Sequence, residues 1–309
     1  LGNENKNSTA AVVVTYNRKE LLLKCLNCLA NQKENFCDII IVDNSSSDGT
    51  EEAVGALPNV VENSRIIYFN TGANLGGAGG FNYGIRKGAE LGYEYLWIMD
   101  DDCMARENTL AEFFNVDKKL NDDYGFLSSV VLWKDDSICA MNQQKTTFFK
   151  KYTDFDSELT EVIFATFVSL FLPVRVVLEV GLPIKEFFIW TDDWEYTRRI
   201  SKKFRCYAVG KSMVTHESAS NTGVSIAKDN NRLERYKYLY RNEIYLYRSE
   251  GIRGFFYEML RLTKHITSVL LKSKGNKFLK CKIIIGSTMK GFGFKPNIEY
   301  VQRPESRKA

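Results

Sequence analysis

Residues 95–104, YLWIMDDDCM, set three consecutive carboxylates, Asp100, Asp101 and Asp102, directly behind five residues suited to burial. Two carboxylates ~5 Å apart repel by about 3 kcal/mol at an effective dielectric of about 20, so a third beside them has to be answered by protons, solvent or a cation. Mg2+ and Mn2+ take oxygen ligands and keep coordination positions for phosphate oxygens. The stretch therefore reads as a buried strand ending on a cation site, with a metal-bound diphosphate as the natural inference.

The pattern of apolar strand followed by polar turn repeats upstream. AAVVVTY (10–16) is a β-branched run, and Asn17 is placed to cap the helix that RKELLLKCLNCLANQ (18–32) predicts from its apolar spacing. CDIIIVD (37–43) is a second strand, and NSSSDGTEEAV (44–54) opens another helix. RIIYF (65–69) is a third; the glycine-rich loop NTGANLGGAGG (70–80) then leads into the helix FNYGIRKGAEL (81–91). Alternating strands and helices predict an α/β fold with a mostly parallel sheet flanked by helices. Ligands of such sheets sit beyond the carboxyl ends of the strands, where this chain carries Thr15, Tyr16, Asp43, Asn74 and the Asp triplet.

Composition narrows the function. The 309 residues are 44% hydrophobic, ample for a core, and the net charge of +4 against 42 basic and 38 acidic residues gives no global field for nucleic acid. Seven cysteines, an odd number scattered through the chain, suit reduced thiols in the cytoplasm. Cys25 and Cys28 have the spacing of a redox pair, but no Cys or His nearby completes a metal site, so they read as one turn of an amphipathic helix. The first ten residues are polar, and no run approaches the ~18 apolar residues of a membrane span, so neither a signal segment nor a spanning helix is expected.

Other motifs are open to two uses. The glycine-rich loop lacks the Lys-Ser/Thr pair of a P-loop, and Asn82 stands where a dinucleotide fingerprint needs glycine, leaving close ligand approach at Gly79 or a plain tight turn. In WTDDWEY (190–196), Asp192 and Glu195 have the spacing of a capping box, with holding the donor's sugar hydroxyls as the other use of Asp192, while Asp193 in the first helical turn is able to face the strand edge. Trp190 offers a flat apolar surface of the kind sugars stack on. His216 follows another apolar segment and becomes a candidate ligand once the Asp cluster is granted.

VVVTYNR, IIIVDNSSSDGT, NLGGAGGFNYGI, WIMDDD, VGLPIKEFFIWTDDWEYTRR and the late histidine, in that order, resemble glycosyltransferase family 2 over roughly residues 10 to 245. The glycine-rich loop, the Asp triplet, the acidic pair and YLYRN are most similar to its galactofuranosyltransferase and rhamnosyltransferase members. The resemblance implies a GT-A fold, an inverting reaction and a metal-dependent nucleotide-sugar donor. On this chain it implies that Thr15, Tyr16, Arg18, Asp43 and Asn74 hold the nucleotide, with Asp43 reading uracil. Asp100, Asp102 and His216 would bind Mn2+ or Mg2+, Asp101 would support the donor, and Asp193 would be the base. Thr191 separates Trp190 from the acidic pair, where relatives often have Trp directly adjacent. No β-rich N-terminal domain of the kind in the polymerising mycobacterial enzymes is expected, so processive polymerisation is not implied.

The expected reaction is transfer from UDP-galactofuranose to a glycan or lipid-linked saccharide, with dTDP-rhamnose as the alternative donor. A metal-dependent phosphohydrolase would want a small hydroxyl residue where Met104 stands, and a non-catalytic sugar-binding domain would need neither Asp193 nor a metal. The catalytic unit is expected over 1–225 and a basic helical region over 226–309. In the latter, Phe255, Phe256, Met259, Leu260, Leu262, Ile266, Val269 and Leu270 fall near one helical face beside Arg253, Arg261, Lys264, Lys272 and Lys274, which predicts a peripheral contact with the cytoplasmic face of a membrane.

Overall fold

The computed structural model describes residues 7–58, 60–61 and 63–302; part of the stretch in which no signal segment is expected, residues 1–6, lies outside these. β1 (Thr9–Thr15), β2 (Asp38–Asp43), β4 (Ser64–Asn70) and β5 (Tyr95–Asp100) run parallel in the order β4-β2-β1-β5, with β3 (Val60–Val61) antiparallel at the outer edge. α1 (Lys19–Ala30), α2 (Thr50–Gly55) and α3 (Gly76–Glu90) make the crossovers. Both sheet faces are covered, so the strands are apolar throughout. Val12, Val14, Ile40, Val42, Leu96 and Ile98 pack under Phe81 and Ile85 of α3, while Val13, Ile41, Trp97 and Met99 pack under Leu22 and Leu26 of α1. Each such aliphatic side chain contributes about 1.5–3 kcal/mol on full burial.

The second half of the sheet is mixed. It contains β6 (Cys103–Ala105), β7 (Leu127–Trp133), β8 (Leu159–Glu161), β9 (Leu170–Pro173) and β10 (Tyr207–His216), with α4 (Thr109–Leu120), α5 (Val174–Val180) and α6 (Asp192–Ser201). β9 lies between β5 and β7 and runs against both, so β7 and the parallel β10 regain the direction of β5. The carboxyl ends of β1, β2, β5 and β10 therefore share one edge. The apolar run 161–173 yields strand only at its ends; the segment between is buried without regular structure, and Val162 N, for example, donates to Cys206 O at 2.9 Å.

Two local expectations need correction. α3 starts at Gly76, so Gly76, Gly77, Gly79 and Gly80 lie within a helix and only Gly72 in the loop. A Cβ on Gly80, Gly84 or Gly88, spaced four apart, would come within 2.5 Å of Val14 Cγ1, 2.4 Å of Val12 Cγ1 and 2.4 Å of Leu96 Cδ2 respectively. These glycines let the helix backbone lie against the sheet. Asn17 does not cap α1: Asp48 Oδ2 accepts from Lys19 N at 2.9 Å, and Asn17 Oδ1 accepts from Ser47 N at 2.7 Å, so the two loops brace each other. All seven cysteines are free, and Cys25 is buried on α1.

The C-terminal part folds as α7 (Arg235–Arg248), α8 (Gly251–Lys272) and α9 (Lys277–Gly293), around a separate apolar cluster that includes Tyr236, Leu239, Ile244, Leu262, Val269 and Ile284. Among the described residues no helix is long and apolar enough to cross a membrane.

Candidate active site

Strand register assembles the edge. Thr15 pairs with Asp43 across β1 and β2, and Val14 with Asp100 across β1 and β5. Asp101 and Asp102 make the turn between β5 and β6. Because β6 folds back against β10, Cys103 faces His216, and the histidine arrives beside the triplet.

His216 Nε2 lies 3.1 Å from Asp102 Oδ1, and one ligand atom each from Asp100, Asp102 and His216 fall within 4.8 Å of one another. Asp102 Oδ1 is buried with no aligned hydrogen-bond donor, an orphaned oxygen inside the cluster. On the far side of the ring, Nδ1 sits 2.8 Å from Asn142 Oδ1, while the Asn142 amide donates to Thr166 Oγ1 at 3.2 Å. An amide oxygen can only accept, so Nδ1 carries a hydrogen, and Nε2 is the nitrogen that would offer a lone pair once a cation displaces its proton. Two carboxylates, one of them with an orphaned oxygen, and an imidazole fit Mn2+ or Mg2+.

Arg18 is placed differently from expectation. Its Nη1 is 2.8 Å from Asp102 Oδ2 and 3.1 Å from Asp101 Oδ1, and Thr15 Oγ1 donates to Asp101 Oδ2 at 2.8 Å. Both side chains, expected on the nucleotide, here support the triplet. Charge is distributed accordingly. Burial and Asp102 push Asp100 up to about 7, and burial outweighs Arg18 to push Asp101 up to about 6. Burial opposes ionisation of Asp102 as well, but His216 and Arg18 hold it below the usual carboxylate range. Burial also opposes charge on His216, yet Asp102 carries it up to about 10.

Other expected donor-site residues are scattered in role. Asp43 is buried with both oxygens engaged, accepting from Ser46 N at 2.8 Å, Ser46 Oγ at 2.6 Å and Tyr68 OH at 2.5 Å. As placed, it braces the loop after β2. Asn74 is exposed and its Oδ1 accepts from Gly76 N at 2.9 Å, while Tyr16 is exposed at the edge. Gly79 is buried, and a Cβ there would lie 2.6 Å from Leu75 Cβ, so its smallness serves the start of α3.

Asp192 is buried and Asp193 half-buried in the first turn of α6, where Trp194 N donates to Asp193 Oδ1 at 2.7 Å. Burial pushes Asp192 up to about 7. Burial, then Asp192, then Asp100 push Asp193 well above the usual range, although the first turn of a helix by itself favours the ionised form. The Asp100 contribution shows that α6 and the triplet share one field. No capping box forms, because Glu195 is drawn to Arg199, at 3.0 Å from Nε and 2.9 Å from Nη2. Trp190 packs edge-on against Tyr236 at 5.2 Å between ring centroids, which ties it to α7.

Sequence reasoning missed two residues. Asn142 lies in a segment without periodicity and carries no local signal. Asn242 is buried on α7 and donates through Nδ2 to the carbonyls of Phe187 at 3.0 Å, Ile189 at 3.3 Å and Trp190 at 3.0 Å. The loop it grips has positive φ at Phe188, Trp190 and Thr191, all non-glycine, and leads directly into Asp192. An amide on the buried stripe of an amphipathic helix was the available signal.

Comparisons with known proteins give the fold and the family. The structure of GalNAc-T7 with UDP, GalNAc and Mn2+ superposes with a TM-score of 0.61 at 14% identity, covering 97% of this chain and 56% of that one. The fold is that of the GT-A glycosyltransferases. A profile for glycosyl transferase family 2 matches residues 10–167, and the chain belongs to that family. Galactofuranosyltransferase GlfT1 of Mycolicibacterium smegmatis is 36% identical over 100 residues, covering 32% of each chain. GlfT1 of Mycobacterium tuberculosis is 28% identical over 202 residues, covering 62% of this chain. The match spans 64% of the tuberculosis protein's own length.

Proposed function

We propose that the protein transfers a galactofuranosyl unit from UDP-galactofuranose to a saccharide acceptor, on a glycan or a lipid-linked intermediate, with inversion at the anomeric carbon. The observation that carries this is the Asp100–Asp102–His216 cluster at the strand edge, with the acidic turn of α6 in the same electrostatic field. Similarity to the two GlfT1 proteins supports the furanose donor. Residues 1–225 would be the catalytic unit and 226–309 the acceptor-side region. Seven free thiols support a reducing compartment.

Asp100, Asp102 and His216 would hold the metal, which when bound neutralises charge on the departing diphosphate. Asn142 fixes the imidazole so that Nε2 faces the cluster. Arg18 and Thr15 hold Asp101 at the donor edge, and Tyr16 is available to the base. The acceptor hydroxyl attacks C1, the bond from C1 to the diphosphate oxygen breaks, and the hydroxyl proton passes to the Asp193 carboxylate. Asn242 holds the loop that aims α6, so Asp193 meets the acceptor in a fixed position.

The test is a donor panel. The purified protein is incubated with Mn2+ and UDP-galactofuranose, UDP-galactopyranose, UDP-glucose or dTDP-rhamnose, and nucleotide diphosphate release is followed. Release from UDP-galactofuranose alone supports the reading; release only from a pyranose donor removes the sugar assignment.

A further inference from the structure

We propose that the outward faces of α8 and α9 form a docking surface for an anionic lipid bilayer. The two helices carry apolar residues on opposite sides. Leu262 and Val269, expected on a membrane face, are buried in the helical core, and Met259 and Ile266 pack against it. A second apolar stripe points outward: Ile252, Phe256 and Leu260, four residues apart on α8, are 74%, 60% and 72% exposed. On α9, Phe278, Ile285 and Met289 are exposed along one side. Phe255 and Phe292 join the stripes, with ring centroids 6.2 Å apart. α8, at 22 residues, is roughly 33 Å long, so the patch extends well beyond isolated surface side chains.

Charge identifies the occupant. Arg253, Lys264, Lys272, Lys277, Lys282 and Lys290 are all exposed on these helices. Glu258 is the one carboxylate between Glu250 and Glu299, and it is buried. Two copies meeting through this face would set cations against cations with no acid to answer them. A bilayer with anionic headgroups answers the cations and accepts Phe, Leu and Ile without any requirement for a complementary shape. Neither helix can span, so the contact is peripheral. α7, which grips the loop leading to Asp193, packs on both helices, so the bound membrane would lie one helical layer from the α6 turn. The inference does not depend on the donor assignment.

The test is flotation of the full chain at low salt with vesicles of phosphatidylcholine and phosphatidylglycerol, and with phosphatidylcholine alone. The protein should float with the anionic vesicles and stay behind with the neutral ones. Combined Lys277→Gln, Lys282→Gln and Lys290→Gln should lower the partition coefficient on the order of 100-fold. Combined Phe256→Glu, Leu260→Glu and Met289→Glu should abolish flotation while the melting temperature and UDP affinity stay at wild-type values, which shows the fold is kept. Wild-type protein at the bottom of the anionic gradient overturns the proposal. So does equal flotation of the wild type and both variants, or vesicle-free dimerisation that only the Glu variant loses.

Discussion

Asn242 on α7 donates to the carbonyl of Trp190 at 3.0 Å and thereby holds, from the C-terminal helices, the backbone that enters α6. Removing that amide leaves three carbonyls without this donor and frees a loop whose φ is positive at Phe188, Trp190 and Thr191. Asn242→Ala should destabilise the fold by about 1–3 kcal/mol. It should also lower kcat by about 100-fold, the cost of a misplaced catalytic group. UDP affinity by calorimetry should stay near wild type. A melting-temperature loss with kcat within twofold of wild type would reduce Asn242 to a structural part.

Asp193→Asn should keep UDP and Mn2+ affinity while transfer falls by about 10²- to 10⁴-fold, the typical loss of a positioned base. Asp192, buried behind it, should behave differently: Asp192→Asn should change sugar affinity or melting temperature more than the chemical step. Single-turnover transfer beside calorimetry separates the two. Retention of transfer within a few-fold in Asp193→Asn would place the base elsewhere.

Glu258 and Glu243 share one guanidinium, Arg261, inside the helical region. Glu243 makes the close pair, and burial with the neighbouring Glu243 charge pushes Glu258 up to about 9 from an ordinary 4.5. A raised folded pKa means the folded protein holds a proton that the unfolded chain releases. Stability is therefore fully present below pH ~4.5 and is lost progressively as pH climbs towards ~9. Glu258→Gln, which needs no proton, should raise the melting temperature at pH 8 and change it little at pH 4. A gain of equal size at both pH values would contradict the account.

The α3 glycines make an internal control. Gly84→Ala brings a Cβ to 2.4 Å from Val12 Cγ1 and 2.9 Å from Val42 Cγ2, which should cost about 1–3 kcal/mol in overpacking. Gly77→Ala meets nothing within 4 Å and, in the same helix, should add about 0.5–1 kcal/mol. Urea midpoints at constant slope measure both. Equal effects would mean the glycines serve something other than packing.

The parallel half of the fold was legible because each strand is a local run, Val12 to Val14 or Ile39 to Val42, bounded by polar turns. From that alone Asp43 and Asp100 fall on one edge. What stayed hidden was long-range. Glycine's weak helix propensity disguised the start of α3, where contact of Gly80 and Gly84 with Val14 and Val12 overrides it. Arg18 is 84 positions from Asp102, and no local pattern distinguishes a guanidinium that pairs with the triplet from one that grips a nucleotide. The His216 orientation depends on Asn142, 74 positions away. Periodicity found the apolar face of α8 but not its two-sidedness, because Leu262 facing a core and Leu260 facing outward look alike in a sequence.

The central claim is that Asp100, Asp102 and His216 form a cation site that holds the donor diphosphate. Calorimetry of UDP binding with Mn2+, with excess chelator, and with Mn2+ in Asp102→Ala tests it most directly. The account predicts tight binding with Mn2+, and at least a tenfold loss (about 1.4 kcal/mol) on chelation and again in Asp102→Ala. UDP affinity that is the same in chelator as in Mn2+, and unchanged in Asp102→Ala, would contradict it.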